Sequence, residues 1–384
     1  MLFLLLMLGS LQTYGATSEQ VLKTAWQEST YLSQDQLRPT DSRNPIRNVE
    51  GFVSQTKDGG TETEVGFKFQ FRSWPEWKMG RSAQQQQKIL KESSLAWALH
   101  DRYMALLNYE INRQKLITIE QALKVSENYL KAQTLSLKAG KSTAKAYLGA
   151  KESVHKLKRI QSVAEQEKEL ARSKIRLWLP EWKGDVLEGF ELLHVEEVLK
   201  FLQEHSPQQN SLSVKLANEE FEEIQHEYRI VKGRENQWVK GLEVSQTQEK
   251  NETKYKVELS IQIPGLGSDD LLKQKQNELI LKKALKQKDI NDAKDRVVIL
   301  KNQILNLIDL YKLEQIEFKE GFKSTSTDSL VNSETRLVAQ HEKLEHFGQQ
   351  QEITSLFLLY LLESEVLVQN PDINYLNHGA RRTL

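Results

Sequence analysis

From Tyr255 to Ile263 the chain alternates: Tyr255, Val257, Leu259, Ile261 and Ile263 are separated by Lys256, Glu258, Ser260 and Gln262. A period of two predicts a strand with one apolar and one wet face. Pro264, Gly265 and Gly267 stop it. The period then changes. Ile290, Ala293, Val297, Leu300, Ile304, Leu307 and Tyr311 recur at alternating steps of three and four, the seam of a coiled coil. The pattern breaks over 319–325 and returns through Leu330, Leu337, Leu344 and Phe347.

The same succession occurs earlier. Val65, Phe67, Phe69 and Phe71 alternate with Glu64, Gly66, Lys68 and Gln70, and Pro75 ends that strand. A helix predicted over Ala83–Leu137 runs roughly 80 Å at the usual rise per residue. It reverses at Lys138-Ala139-Gly140-Lys141-Ser142-Thr143. The return helix, 143–179, has its own seam at Val154, Leu157, Gln161, Ala164, Lys168, Ala171, Ile175 and Trp178. Gly140 and Gly321 are 181 residues apart, and Pro75 and Pro264 are 189 apart. The chain is a tandem repeat of strand hairpin and long helical hairpin.

The remaining elements follow from local signals. A short helix is expected over 18–34, an extended connection over 38–48 and a strand over 49–56. Lys57-Asp58-Gly59-Gly60 forms a hairpin turn into 61–71. Further helices are expected over 186–204 and 212–231. A second strand hairpin, 238–246 with 252–263, turns at Glu249-Lys250-Asn251. The resulting division is 1–16 signal peptide, 17–180 first repeat, 181–210 equatorial junction, 211–363 second repeat and 364–384 a loose C-terminal tail. Met1–Leu8 is almost wholly apolar and Gly15-Ala16 offers small residues for cleavage, which is why the first segment reads as secretory.

Composition narrows the function. The 384 residues include 53 acidic and 53 basic ones, so no net charge favours nucleic acid or an acidic substrate. A mean hydropathy of −0.58 suits helices with narrow seams better than a large globular core. The chain has no cysteine, which excludes disulfides, thiol catalysis and cysteine metal sites.

The strands pose a problem. Their apolar faces need cover, and the helices spend their seams on one another. Strands of about 11 residues are long enough to cross a bilayer when tilted. Open sheet edges are not tolerated in lipid, so four strands cannot span alone. The smallest outer-membrane barrels have about eight strands and a filled interior. Three chains would supply twelve and leave room for a channel, which favours a homotrimer.

In its order, duplication and spacing the chain resembles the outer membrane efflux protein family, the TolC-like outer membrane factors. The residues that carry the resemblance are Ile263-Pro264-Gly265, Phe318 to Ser324 through Asp328 and Leu330, and Lys138 to Ser142 through Leu148. It implies a mainly α chain with membrane β. Coiled-coil helical hairpins form an α-barrel, and four strands per chain complete a trimeric twelve-stranded barrel in the outer membrane. It implies a passive conduit for efflux or type I secretion, served by a periplasmic adaptor and an inner-membrane pump, with no cofactor and no catalytic residue. Asp328 would then narrow the periplasmic end of the tunnel. Gly140, Ser142, Gly321, Phe322 and Ser324 would contact the adaptor at the hairpin tips. The first repeat departs from the pattern: its inbound helix is short, and Lys145, Ala146 and Tyr147 stand where an acid is expected.

Other motifs do not hold. Gly140-Lys141-Ser142-Thr143 resembles the end of a phosphate-binding loop, but Leu135 stands where its first glycine belongs and a helix precedes it. His341 and His346 are off the spacing for two ligands on one helical face. The alternative to a conduit is a periplasmic coiled-coil scaffold or adaptor without channel activity.

Overall fold

The computed structural model describes residues 17–28, 45–56, 62–78, 80–182, 187, 192–205, 211–249, 252–261, 263, 270–321, 329–369 and 374–376. The expected signal peptide, both hairpin turns of the strands and most of Ile263-Pro264-Gly265 lie outside them. The chain divides into two units, and each draws on both repeats.

The first unit comprises Ser33–Glu92 and Leu212–Lys294. Strands β1 (Ile46–Thr56), β2 (Glu62–Phe71), β3 (Val239–Glu249) and β4 (Glu252–Ile261) form one antiparallel sheet in that order. The two strand hairpins are joined by pairing of β2 with β3, so the repeats build one sheet. A short helix α1 (Trp74–Lys78) follows β2, and α2 (Leu212–Glu235) leads into β3. They are locked together. Glu76 accepts from Ser73 N (2.8 Å), Ser73 Oγ (3.1 Å) and Arg234 Nε (2.9 Å). Gly233 meets Pro75 so closely that an added Cβ would lie 2.8 Å from the proline ring. The first turns of the long helix α3 (Asp270–Gly321) are tied to α2 by Lys275–Glu227 and Lys282–Glu220, and by Lys286 over the ring of Phe221.

The second unit comprises Met1–Leu32, Ser93–Ser211 and Asp295–Leu384. Here α4 (Gly80–Lys138) and α5 (Ala144–Trp178) form the first long hairpin, and α3 with α6 (Ser329–Glu363) the second. The expected seams are the buried ones. Val154, Leu157, Ala164, Ala171 and Ile175 are buried on α5, and Val297, Leu300 and Ile304 on α3. Gln161 and Lys168 sit half-buried in the α5 seam: Gln161 Nε2 donates to Glu165 Oε1 (3.1 Å), and Lys168 Nζ lies 5.8 Å from the centre of the Tyr109 ring. Ile119 and Ala122 of α4, Leu157 and Ala164 of α5 and Leu344 of α6 share one core cluster.

Three expectations need correction. The helix predicted over 18–34 is short: α7 (Ser18–Lys23) passes into a 3-10 turn, Thr24–Gln27. Buried Arg102 captures this end, donating to Thr24 Oγ1 (2.7 Å), the Thr24 carbonyl (3.2 Å) and Glu28 (3.0 Å). The helix predicted over 186–204 begins only at Val195 (α8, Val195–Glu204). Part of the C-terminal tail is packed rather than loose. Helix α9 (Val366–Gln369) packs on the end of α6, and Tyr375 N donates to Tyr103 Oη (3.3 Å). Leu367 and Leu376 are buried, and Asn374 Nδ2 donates to Ser18 Oγ (3.1 Å). The run Leu356–Leu362 is too apolar to leave in water; Phe357 packs edge-on against Phe201 of α8, whose ring also meets Tyr375 of the tail.

Candidate barrel wall and hairpin tips

The register sorts the sheet into two chemically distinct faces. Across the four strands run the rows Val49–Phe69–Leu242–Leu259, Gly51–Phe67–Val244–Val257 and Val53–Val65–Gln246–Tyr255. On the opposite face run Glu50–Lys68–Glu243–Glu258, Phe52–Gly66–Ser245–Lys256 and Ser54–Glu64–Thr247–Lys254. The polar rows are cross-linked. Lys256 pairs with Glu258 (2.6 Å), and buried Ser245 donates to Glu64 (2.6 Å).

Among the described residues nothing covers the apolar rows. Val53 is 71% exposed, Val257 67% and Ile261 62%, and β4 is exposed along its length. Phe67, Phe69, Val257, Leu259 and Ile261, expected on one face, lie on it. Lys68, Lys256, Glu258 and Ser260 lie on the other. At the end of the sheet where β2 finishes and β3 begins, Trp74 and Trp238 are both exposed. Such rings suit a membrane boundary. Trp238 stands just before β3 as Trp74 stands just after β2.

The first hairpin tip is built by the very motif that resembled a phosphate loop. Gly140 has φ +68. Its N–H donates to the Leu137 carbonyl (3.0 Å) and that of Lys141 to the Ser136 carbonyl (2.8 Å). These are the two bonds of a Schellman cap, which requires the left-handed residue that glycine supplies. Ser142 Oγ donates to Gln133 Oε1 (2.6 Å), and Thr143 Oγ1 accepts from Ala146 N (3.2 Å) as the N-cap of α5. Each residue of the motif has a structural task in reversing the chain. Gly140 is exposed with open space around it, while the Ser142 hydroxyl is turned onto its own hairpin. At the second tip α3 runs to Gly321. Phe322, Ser324 and Asp328 lie outside the described residues.

No family model and no curated protein matches the sequence. Solved structures do. The chain is similar to CusC, whose structures concern folding and transmembrane channel formation, with TM-score 0.55 and 14% identity over 90% of this chain and 92% of that one. It is similar to the Campylobacter jejuni CmeC outer membrane channel, with TM-score 0.55 and 10% identity over 90% and 82%. It is also similar to the Neisseria gonorrhoeae MtrE outer membrane channel in its open state, with TM-score 0.52 and 11% identity over 90% and 88%. At such identities the likeness is one of fold. The chain has the TolC-like fold, long helices with a four-stranded antiparallel sheet.

Proposed function

We propose that the chain is one subunit of a homotrimeric outer-membrane channel, a passive conduit with its sheet in the outer membrane and its helices in the periplasm. One observation carries this reading. Among the described residues the four-stranded sheet is apolar on one uncovered face and charged on the other, and β1 and β4 each pair on one side only. A sheet in water would bury its apolar rows, and a sheet in lipid would have no open edges. Joining β4 of one copy to β1 of the next satisfies both demands, with lipid against the apolar rows and water against the charged ones. Three copies give twelve strands.

A conduit of this kind does no chemistry. Energy comes from an inner-membrane pump reached through a periplasmic adaptor, as in tripartite efflux or type I secretion, and the pump chooses the cargo. The adaptor meets the hairpin tips at Gly140, Ser142, Gly321, Phe322 and Ser324. Three copies of Asp328 form a cation-attracting ring at the periplasmic end. The CmeC and MtrE likenesses support the channel reading over that of a scaffold. Single-channel recording of the purified protein in planar bilayers tests it. Stepwise conductance is expected, and a protein soluble without detergent that never conducts would refute it.

A further inference from the structure

The two hairpins leave one helix at each side of the helical unit. Between Tyr103 and Ala122, α4 buries apolar residues on several faces, and α6 does so from Ile353 to Leu362. In contrast, α5 and α3 each bury a single seam. Both carry a second apolar stripe in the open: Val163, Leu170 and Leu177 at heptad spacing on α5, and Leu310, Leu313 and Ile316 on α3. Leu170 is 62% exposed and Leu310 54%.

The heights of these stripes can be compared through the contacts inside the unit. Ser126 of α4 touches Ser153 of α5 (3.4 Å). Seventeen residues further from the tip on each helix are Tyr109 and Leu170. Asn108, next to Tyr109, accepts from Gln351 of α6 (2.8 Å). On α6, Gln351 is five residues past His346, whose ring meets Tyr311 of α3, and two past Gln349, which donates to Glu314. Equal steps along α3 end between Asn306 and Lys312. Leu310 therefore lies at the height of Leu170. The same count puts Ile316 at the height of Val163.

We infer that α5 of one copy packs antiparallel on α3 of the next, with Leu170 against Leu310 and Val163 against Ile316. This rests on the proposed rotationally symmetric assembly, because rotation about an axis along the helices preserves height. Two further features fit the occupant. Beside Leu170 is an open recess of about 290 Å³ lined by Met104, Asn108, Lys174 and Gln351, the kind of hole that accepts a side-chain knob. An opposite charge pair also meets at a matching height, Glu167 with Lys312.

The chain has no native thiol, so paired cysteines report the contact directly. Leu170→Cys with Leu310→Cys, and separately Val163→Cys with Ile316→Cys, are expected to lose the monomer band on mild oxidation and give covalent trimers. Each single variant should not. Leu177→Cys with Ile316→Cys, placed at different heights, should stay monomeric on a denaturing gel. Should the mismatched pair cross-link instead, the register is wrong. A native trimer in which no pair cross-links overturns this contact but leaves the trimeric channel standing, whereas a native monomer overturns both. As a check independent of oxidation, Glu167→Lys is expected to lower trimer yield and Lys312→Glu in the same chain to restore it. Failure of the second change to restore yield would also count against the contact.

Discussion

Phe52 lies across Gly66 on the charged face of the sheet. Its ring carbons sit 2.7 and 2.8 Å from the point that a Cβ on Gly66 would occupy, and Ser245 Cβ is 2.8 Å away on the other side. The ring replaces the missing side chain and holds β1 to β2. Gly66→Ala should therefore lower the midpoint of thermal unfolding, at a cost of about 1–3 kcal/mol for overpacking. Adding Phe52→Ala should recover part of the loss on the Phe52 side. A Gly66→Ala protein as heat-stable as the parent would show that the ring moves aside freely.

Two glycines near the first tip should respond in opposite ways. Neither Gly140 nor Gly149 has any neighbour within 4 Å of an added Cβ. Only Gly140 has positive φ. Gly140→Ala should cost about 1–2 kcal/mol through backbone strain. Gly149→Ala, inside α5, should gain about 0.5–1 kcal/mol by reducing unfolded-state freedom. Thermal unfolding of both variants, followed by circular dichroism, measures the signs.

Much of the helical layout was legible because coiled-coil seams repeat over many turns. Val154 to Ile175 and Val297 to Ile304 declare their buried side without tertiary help. The strands were legible for the same reason: alternation from Tyr255 to Ile261 fixes which residues share a face. Contacts that join distant segments left no such periodic trace. The pairing of β2 with β3 brings Phe67 to Val244 from the other repeat, and nothing local records it. Arg102 reads as an ordinary helix arginine until Thr24 and Glu28 arrive beside it. The tail residues Leu367 and Leu376 form no pattern long enough to announce burial. At the tips, the left-handed need at Gly140 could be anticipated from a glycine between helices. The turn of Ser142 onto Gln133 could not.

Acid should loosen the α1–α2 lock. Burial raises the Glu76 pKa, but hydrogen bonds from Arg234 and Ser73 outweigh it and hold the carboxyl below its ordinary value of 4.5. A depressed carboxylate pKa contributes stability above the unfolded value and loses it as pH falls through the folded one. Glu76→Gln should therefore be less stable than the parent at pH 7, by about 1–2 kcal/mol for a charge-assisted bond whose arginine is partly exposed. Its deficit should shrink as pH falls below 4.5. A deficit that stayed constant down to low pH would mean that the lock depends on shape rather than charge.

The central claim is that one sheet face meets lipid and the other water. Single cysteines at Phe67, Phe69, Val257, Leu259 and Ile261, and at Lys68, Lys256, Glu258 and Ser260, can each be tested with a membrane-impermeant thiol reagent on protein in its outer membrane. The second set should label and the first should not, alternating residue by residue along β4. Equal labelling of both sets would contradict the barrel wall.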